Sequence, residues 1–237
     1  MCNFNIMSKI SKSDVLSKLR ERVLSMALAP GTALDEIVLA QEFGLSRTPL
    51  REIVQRLGGE GYLVLEPNRG ARVAPMDLAT MRHFFEAAPM IYAAMSRLAA
   101  QNARPNEVGD LKNCQQRYKT ALAAGDVSAT AMENHAFHHC IGEMARSSYL
   151  LPALERLLID HTRIGHTFYD RAGERGAERT RQASDQHDAM IEAIEQREPG
   201  RAVEVTLEHW SLSRDLMETY VRPDPLNFQL EESRDAV

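Results

Sequence analysis

Apolar positions recur at helical spacing through the first 60 residues, most regularly between residues 46 and 57. The repeat follows i, i+3, i+4 and i+7, which predicts a helix with one buried face: Leu50, Ile53, Val54 and Leu57. The opposite face is polar and holds Arg47, Thr48, Arg51 and Gln55. Ser46 is a suitable N-cap, and Pro49 is tolerated in a first turn because its missing N–H would be unpaired there. The pattern predicts a helix that exposes two arginines near its N-terminus.

The flanking patterns complete a small domain. An amphipathic helix around Leu16 and Leu19 precedes a Pro30-Gly31 turn, and a second helix is predicted over residues 35–43. Downstream, residues 62–65 are β-prone, residues 67–70 have turn chemistry, and residues 72–73 begin a return strand. Three helices and a two-stranded hairpin predict a winged helix-turn-helix domain over residues 10–75.

Beyond Pro75 the pattern is helical to the end of the chain. Pro89 should kink or interrupt the first of these helices. The predicted helices span about residues 77–101, 106–124, 127–145, 149–167, 179–196 and 200–220. Because strand signals are absent, residues 77–221 are predicted to form an all-α helical bundle, and residues 222–237 a flexible tail. The fold class is mainly α.

Composition and charge narrow the class of protein. The 237 residues suffice for two domains, and neither a transmembrane run nor a signal-peptide segment is evident, so a cytoplasmic protein with no membrane partner is expected. Three widely spaced cysteines do not form a disulfide framework. The net charge is −5, but residues 1–75 carry ten Lys/Arg against eight Asp/Glu. The N-terminal domain, called the head below, is weakly basic, whereas the rest of the chain is acidic, and this distribution suits a sequence-specific regulator. In a dimer, two heads would bind two half-sites.

The exposed arginines of the 46–57 helix suit the major groove of DNA. The guanidinium of Arg47 or Arg51 can bind guanine O6 and N7, while Ser46 and Thr48 can bind phosphates near the helix N-terminus. The alternative is a solvated helix face without a partner. The adjacent wing favours double-stranded DNA.

Three helices of the predicted bundle each place one histidine on an apolar stripe. His138 lies four residues after Asn134, on one helix face, and His187 and His209 lie on two later helices. Neutral imidazoles that converge from separate helices can hold a divalent transition metal. A buried histidine on its own is more often a hydrogen-bonded core residue, and their convergence favours a metal.

His135 and His139 form a rival pair, because they are also four residues apart. They share a face with Gly142 and Arg146, which is expected to be polar and solvated. The pair is therefore rejected as a metal site.

Both parts of the chain resemble GntR transcription regulators of the FadR-like branch, which carry an FCD ligand-binding domain. The similarity covers residues 14–74, including Pro30-Gly31, the run from Ser46 to Arg51 and Arg69-Gly70, and then about residues 78–220. The implied DNA contacts are Ser46, Arg47, Thr48, Arg51 and, in the wing, Gly70. The implied metal ligands are Asn134, His138, His187 and His209.

This chain departs from the family pattern at several positions. Asn134 replaces the usual aspartate, so a lower metal affinity is expected, and Ile37 stands where some relatives have a further DNA-contacting arginine. The arginine and glutamate that often bind the effector correspond to Ala88 and Tyr92.

The effector contacts are correspondingly less well marked. The candidates are Arg163, Tyr92 and His161. Arg163 is the best remaining candidate for binding an anion. It is equally expected to be an arginine on the bundle surface that binds no ligand. His161 is expected either to line the effector pocket or simply to pack beside it.

These features predict a homodimeric, sequence-specific transcription regulator, such as a repressor, that binds a short near-palindromic operator. Its operator affinity is expected to depend on a small organic-acid effector bound at a metal, zinc or nickel, in the bundle. One alternative is a metal-free bundle that serves mainly for dimerisation. Another is a zinc metalloenzyme, which is disfavoured because the cluster lacks an evident general base.

Overall fold

The computed structural model describes residues 11–67, 69–170 and 174–213. The predicted tail over residues 222–237 and the end of the last predicted helix lie outside this part of the chain. In chain order, the elements are α1 (Lys12–Leu24), α2 (Glu36–Phe43), α3 (Arg47–Glu60), β1 (Leu63–Glu66), β2 (Gly70–Val73), α4 (Leu78–Asn102), α5 (Pro105–Ala123), α6 (Val127–Ala145), α7 (Leu151–Asp170), α8 (Glu174–Glu195) and α9 (Pro199–Ser211). The predicted mainly α fold, with a hairpin after three helices, is confirmed.

Local capping fixes the turn between α2 and α3. The carboxylate of Asp35 accepts hydrogen bonds from the backbone N–H groups of Ile37 and Val38, which starts α2. Gly44 ends α2 in the left-handed conformation with φ 62°, where a glycine has no steric penalty. The predicted apolar stripe of α3 is buried against α1 and α2: Leu50, Ile53, Val54 and Leu57. Its polar face is therefore directed outward.

The hairpin forms a wing beside these helices. Strands β1 and β2 are antiparallel, with Leu63 paired to Val73 and Glu66 to Gly70. Gly70 has φ 81°, which the tight turn requires and which a residue with a side chain rarely adopts. Arg72 donates a hydrogen bond of 2.7 Å to the carbonyl of Gly31, so the wing is tied to the turn that precedes α2.

Helices α4 to α9 form a bundle in which α6 packs against α4, α5 and α7, α9 packs against α4 and α8, and α5 also contacts α8. The helix α4 is not interrupted at Pro89, contrary to one expectation from the sequence. A proline removes one backbone donor, and the buried neighbours Ala88 and Tyr92 keep the flanking turns packed in the core. Within the described residues, no helix has both the length and the apolar character needed to cross a membrane.

Helix α7 joins the bundle to the winged domain. Arg163 is fully buried, donates a hydrogen bond of 2.7 Å to the carbonyl of Ala74, and forms an ion pair with buried Asp160. His166 lies 2.9 Å, through Nε2, from the carbonyl of Leu24 at the end of α1. Both contacts are made by one face of α7, which links the two parts of the chain directly.

Candidate DNA-reading surface and candidate metal centre

The N-terminal end of α3 is an exposed, positively charged surface. Ser46 is the N-cap of α3, but its hydroxyl makes no capping hydrogen bond, and Arg47, Thr48 and Arg51 are all exposed. In the described part of the chain, Arg47 and Arg51 form no ion pair. Four other arginines of this domain do pair with glutamates: Arg20, Arg22, Arg56 and Arg72. Two guanidinium groups at the start of α3 are therefore free to bind an external acceptor.

This end of α3 lines a concave surface together with the start of α2. The concavity has a volume of about 580 Å³, and its lining includes Arg47, Thr48, Arg51 and Ile37. Ile37 is 56% exposed there. The position at which some relatives have a further arginine therefore carries an apolar side chain on this surface. Gly70 is exposed in the wing, and a Cβ atom added to it would lie 3.8 Å from a carboxylate oxygen of Glu36. The wing thus borders this surface.

The three predicted histidines converge in the interior of the bundle. His138 of α6, His187 of α8 and His209 of α9 are at most 9% exposed. One nitrogen from each ring can be chosen so that all three lie within 4.8 Å of one another. Asn134 lies one turn before His138 and is 3% exposed. The structure thus brings the four residues of the predicted metal site to one place.

The tautomer of His187 follows from its hydrogen bonds. The amide nitrogen of Gln115 donates to the carbonyl of Ser184 at 3.0 Å and to the carboxylate of Asp188 at 3.1 Å. These two acceptors orient the Gln115 amide so that its oxygen lies 3.0 Å from His187 Nδ1. Because an amide oxygen only accepts, Nδ1 carries the proton and Nε2 of His187 has a free lone pair.

A second glutamine has the same relation to His209. The amide oxygen of Gln186 lies 3.2 Å from Nδ1 of His209, so this nitrogen is the donor and Nε2 is left unprotonated. Ligand histidines in proteins usually donate their second N–H to such an oxygen, which holds the ring and its tautomer. Gln115 and Gln186 are therefore the outer supports of the histidine cluster.

Burial keeps the clustered imidazoles neutral. Desolvation, with the neighbouring histidines adding to it, holds the pKa of His138 and of His187 well below the ordinary value. Burial lowers the pKa of His209 to about 4. Neutral rings keep a lone pair available at physiological pH, as metal coordination requires.

Unpartnered buried atoms test whether the cluster fits a metal ion. Nε2 of His138, Nε2 of His187 and Oδ1 of Asn134 are buried and have no hydrogen-bond partner. An unsatisfied polar atom in a protein interior costs roughly 1–3 kcal/mol, so three in one place call for a ligand. Imidazole nitrogens with an amide oxygen form a donor set that suits zinc or nickel. The residues present fit a divalent transition metal.

His161 and Tyr92 adjoin this cluster. Nδ1 of His161 lies 2.8 Å from the hydroxyl of Tyr92, and its Nε2 lies 3.5 Å from the amide nitrogen of Asn134. Burial lowers the pKa of His161 to about 3. With Asn134 and His209, His161 lines a cavity of about 20 Å³, which is room for about one water molecule. The effector candidates Tyr92 and His161 therefore lie against the histidine cluster.

Arg163 is a correction to the predicted effector site. It does not line this cavity, and its guanidinium is committed to Asp160 and to the carbonyl of Ala74 at the domain junction. The sequence placed it near apolar residues of α7 but gave no sign that the winged domain packs against that face. Arg163 is therefore a junction residue rather than a free anion-binding group.

The face that carries His135 and His139 is also not the solvated surface expected. Both histidines are half-buried, Nδ1 of His135 lies 2.8 Å from Thr162 Oγ1, and Gly142 packs against Leu154 of α7. The two rings line a cleft of about 800 Å³ between the bundle and the winged domain. His135 and His139 do lie outside the histidine cluster, but because they face α7 and not because their helix face is solvated.

Gln115 and Gln186 were not found from the sequence. A signal existed for Gln115, because it is a polar residue on a stripe that includes Leu111 and Tyr118, and all three are buried. Gln186 had no comparable signal, since it precedes His187 directly and its partner is on another helix.

Comparisons with known proteins agree with this architecture. The model of the gntR family of bacterial regulatory proteins matches residues 11–73, and that of the FCD domain matches residues 83–212. An uncharacterized HTH-type transcriptional regulator in an unstable DNA locus of Streptomyces ambofaciens is 36% identical over 108 residues, which are 44% of each protein. The HTH-type transcriptional repressor RspR of Escherichia coli K12 is 24% identical over 152 residues, 64% of this chain and 67% of that protein. The chain thus spans less than half the length of the first relative.

The fold has a counterpart among solved structures. The structure of Escherichia coli McbR/YncC superposes with a TM-score of 0.76 at 20% identity, and the match covers 90% of this chain and 100% of that one. The family models and the relatives describe transcriptional regulators rather than enzymes. This chain belongs to the GntR family of DNA-binding transcription regulators and carries an FCD domain in its C-terminal bundle.

Proposed function

We propose that this regulator binds its operator as a homodimer and that a small anionic ligand, bound at a metal ion in the FCD bundle, sets its affinity for DNA. The observation that carries the proposal is the group of three buried side-chain atoms without a hydrogen-bond partner on His138, His187 and Asn134. Repression is the proposed mode of action, supported by the similarity to a repressor.

The operator contacts are assigned to the start of α3 and to the wing. Arg47 and Arg51 would each bind a guanine edge, since neither has an ion-pair partner among the described residues. The free hydroxyl of Ser46, the side chain of Thr48 and the backbone at Gly70 would bind phosphates and set the register. Two such heads related by a two-fold axis would read a near-palindromic site.

The metal would be held by His138, His187, His209 and Asn134. When bound, it would supply a Lewis-acidic positive charge to which a carboxylate can coordinate. All four side chains are neutral, whereas the family pattern has a carboxylate at position 134. The ion would therefore keep its full charge, which favours an anionic ligand over a neutral one.

The effector would enter at the cavity beside His161 and Tyr92. Its volume of about 20 Å³ is far below that of a small organic acid, so binding has to enlarge it. Phe168 and Tyr169 line the cavity and belong to the same helix, α7, as the junction residues Arg163 and His166. A shift of α7 on ligand binding would thus change the placement of the DNA-binding head.

This arrangement supports a population-shift mechanism. A ligand that favours one placement of α7 favours one spacing of the two heads, and hence one affinity for the operator. A coupling of about 1–3 kcal/mol would change operator affinity roughly 5- to 150-fold.

The test combines operator selection with a metal and ligand titration. Binding sites are selected from random duplexes with the full-length protein, and affinity is then measured by fluorescence anisotropy at one fixed salt concentration. Zinc-loaded protein should respond to a panel of small carboxylates, whereas metal-free protein and the His187→Ala variant should not. A response of equal size in the metal-free protein would refute control through the metal.

A further inference from the structure

Two free thiols face each other between α5 and α6. The Sγ atoms of Cys114 and Cys140 are 3.2 Å apart, and both cysteines are unbridged. The helices α5 and α6 are consecutive, joined by residues 124–126, and pack against each other along their length. A disulfide has an S–S length of about 2.05 Å, so the sulfur atoms need to approach by only about 1 Å.

The surroundings make the two thiols unequal. Arg117 points Nη2 at Cys114 Sγ over 3.4 Å, while its Nε is held by Glu133 at 2.9 Å. Cys114 is buried, whereas Cys140 is half-buried and nearer to solvent. The pair therefore consists of a buried sulfur in contact with a guanidinium and a second thiol, nearer to solvent, within reach of it.

We propose that Cys114 and Cys140 form a reversible disulfide when the protein meets a peroxide. The sulfur of Cys114, once it has lost its proton, attacks one oxygen of hydrogen peroxide, the O–O bond breaks, and hydroxide leaves and takes up that proton to become water. Cys140 then attacks the resulting sulfenic acid, the S–O bond breaks, and a second water leaves as its proton is transferred. Overall, two thiols are oxidised to one disulfide and one peroxide is reduced to two waters.

The pair lies next to residues of the histidine cluster in the chain. Cys114 precedes Gln115, which orients His187, and Cys140 follows His138 by two residues. Drawing α5 and α6 together would displace Gln115 and His138. The disulfide is therefore expected to weaken metal binding roughly 10-fold, as the loss of a contact to a metal ligand does. This consequence rests on the proposed metal site; the disulfide itself does not.

The experiment uses the full-length chain with Cys2→Ser, which leaves Cys114 and Cys140 as its only cysteines. Reduced protein is treated with hydrogen peroxide, then alkylated, and analysed by intact mass and peptide mapping. The expected product is a chain with an internal disulfide: its mass is lower by two hydrogens, it resists alkylation, its two cysteine peptides are joined, and dithiothreitol restores the thiols. With Cys140→Ser added, Cys114 should give a sulfenic acid that dimedone traps.

Other products would overturn the proposal. These are two alkylated thiols after treatment, a disulfide between chains, or a sulfinic acid on Cys114 without a cross-link. Zinc affinity is measured on the reduced and the oxidised protein. The Cys114→Ala variant is the control: it cannot form the disulfide, so peroxide should leave its zinc affinity unchanged. Equal zinc affinity in the two forms would refute the coupling, and no zinc binding in either form would refute the metal site while leaving the disulfide intact.

Discussion

The contact between Gln115 and His187 gives the sharpest quantitative prediction. Gln115 is 3% exposed, and its amide oxygen lies 3.0 Å from the Nδ1–H of His187. In Gln115→Ala this donor loses its acceptor, the imidazole is free to rotate or to change tautomer, and Nε2 no longer faces the ion. Loss of such an outer-shell contact lowers metal affinity about 10- to 100-fold, which is about 1.4–2.7 kcal/mol.

The assay is a zinc titration of metal-free, full-length protein in the presence of a competing chelator, with the heat of binding measured by calorimetry. Gln116→Ala is the matched control, because Gln116 is the next residue of α5 and is exposed. The buried variant should also unfold more easily without metal, by about 1–3 kcal/mol, since the buried N–H of His187 is left unsatisfied. If Gln115→Ala lowers the stability of the metal-free protein but binds zinc as tightly as the wild type, the assignment of His187 as a ligand held by Gln115 is wrong.

Further predictions concern DNA, metal charge and pH. Arg51→Ala should cost about 1–3 kcal/mol of discrimination at one base pair of the selected operator by anisotropy, while Arg56→Ala, whose guanidinium pairs with Glu60, should keep it; equal effects would argue against the assigned reading face. Asn134→Asp should tighten zinc binding by adding a charged ligand, and an unchanged Kd would remove residue 134 from the site. Without metal, stability should be complete above pH 6.5 and fall as the pH drops from 6.5 towards 4, because the folded-state pKa of His209 is about 4 while the unfolded value is about 6.5. The expected slope is at most about 1.4 kcal/mol per pH unit for each such histidine, and flat urea-unfolding free energies between pH 7.5 and 5 would contradict it.

Apolar spacing was enough to predict the winged domain and the helices of the bundle, because each has a buried stripe of its own. The stripe of α3 is buried as expected, and its polar face is outward. The same reasoning placed His138, His187 and His209 in the interior, since each is on the apolar side of its helix. Pro89 does not interrupt α4, because packing on both sides outweighs one lost hydrogen bond.

Contacts between elements were the part that sequence alone could not supply. Arg163 has the same neighbours in the chain whether it binds a ligand or the carbonyl of Ala74, and only the docking of the winged domain onto α7 decides between them. The role of Gln115 likewise depends on which face of α8 meets α5. The facing of Cys114 and Cys140 depends on the register between α5 and α6, which no local pattern encodes.

Elemental analysis of the native protein, purified without a histidine tag or chelator, tests the central claim most directly. The claim is that His138, His187, His209 and Asn134 hold one metal ion. It predicts about one zinc, nickel or similar ion per chain, or uptake of one equivalent on titration, and loss of that ion in His187→Ala. No bound metal and no uptake would contradict the claim, and the bundle would then be a metal-free module in which these histidines bind the effector directly or only pack.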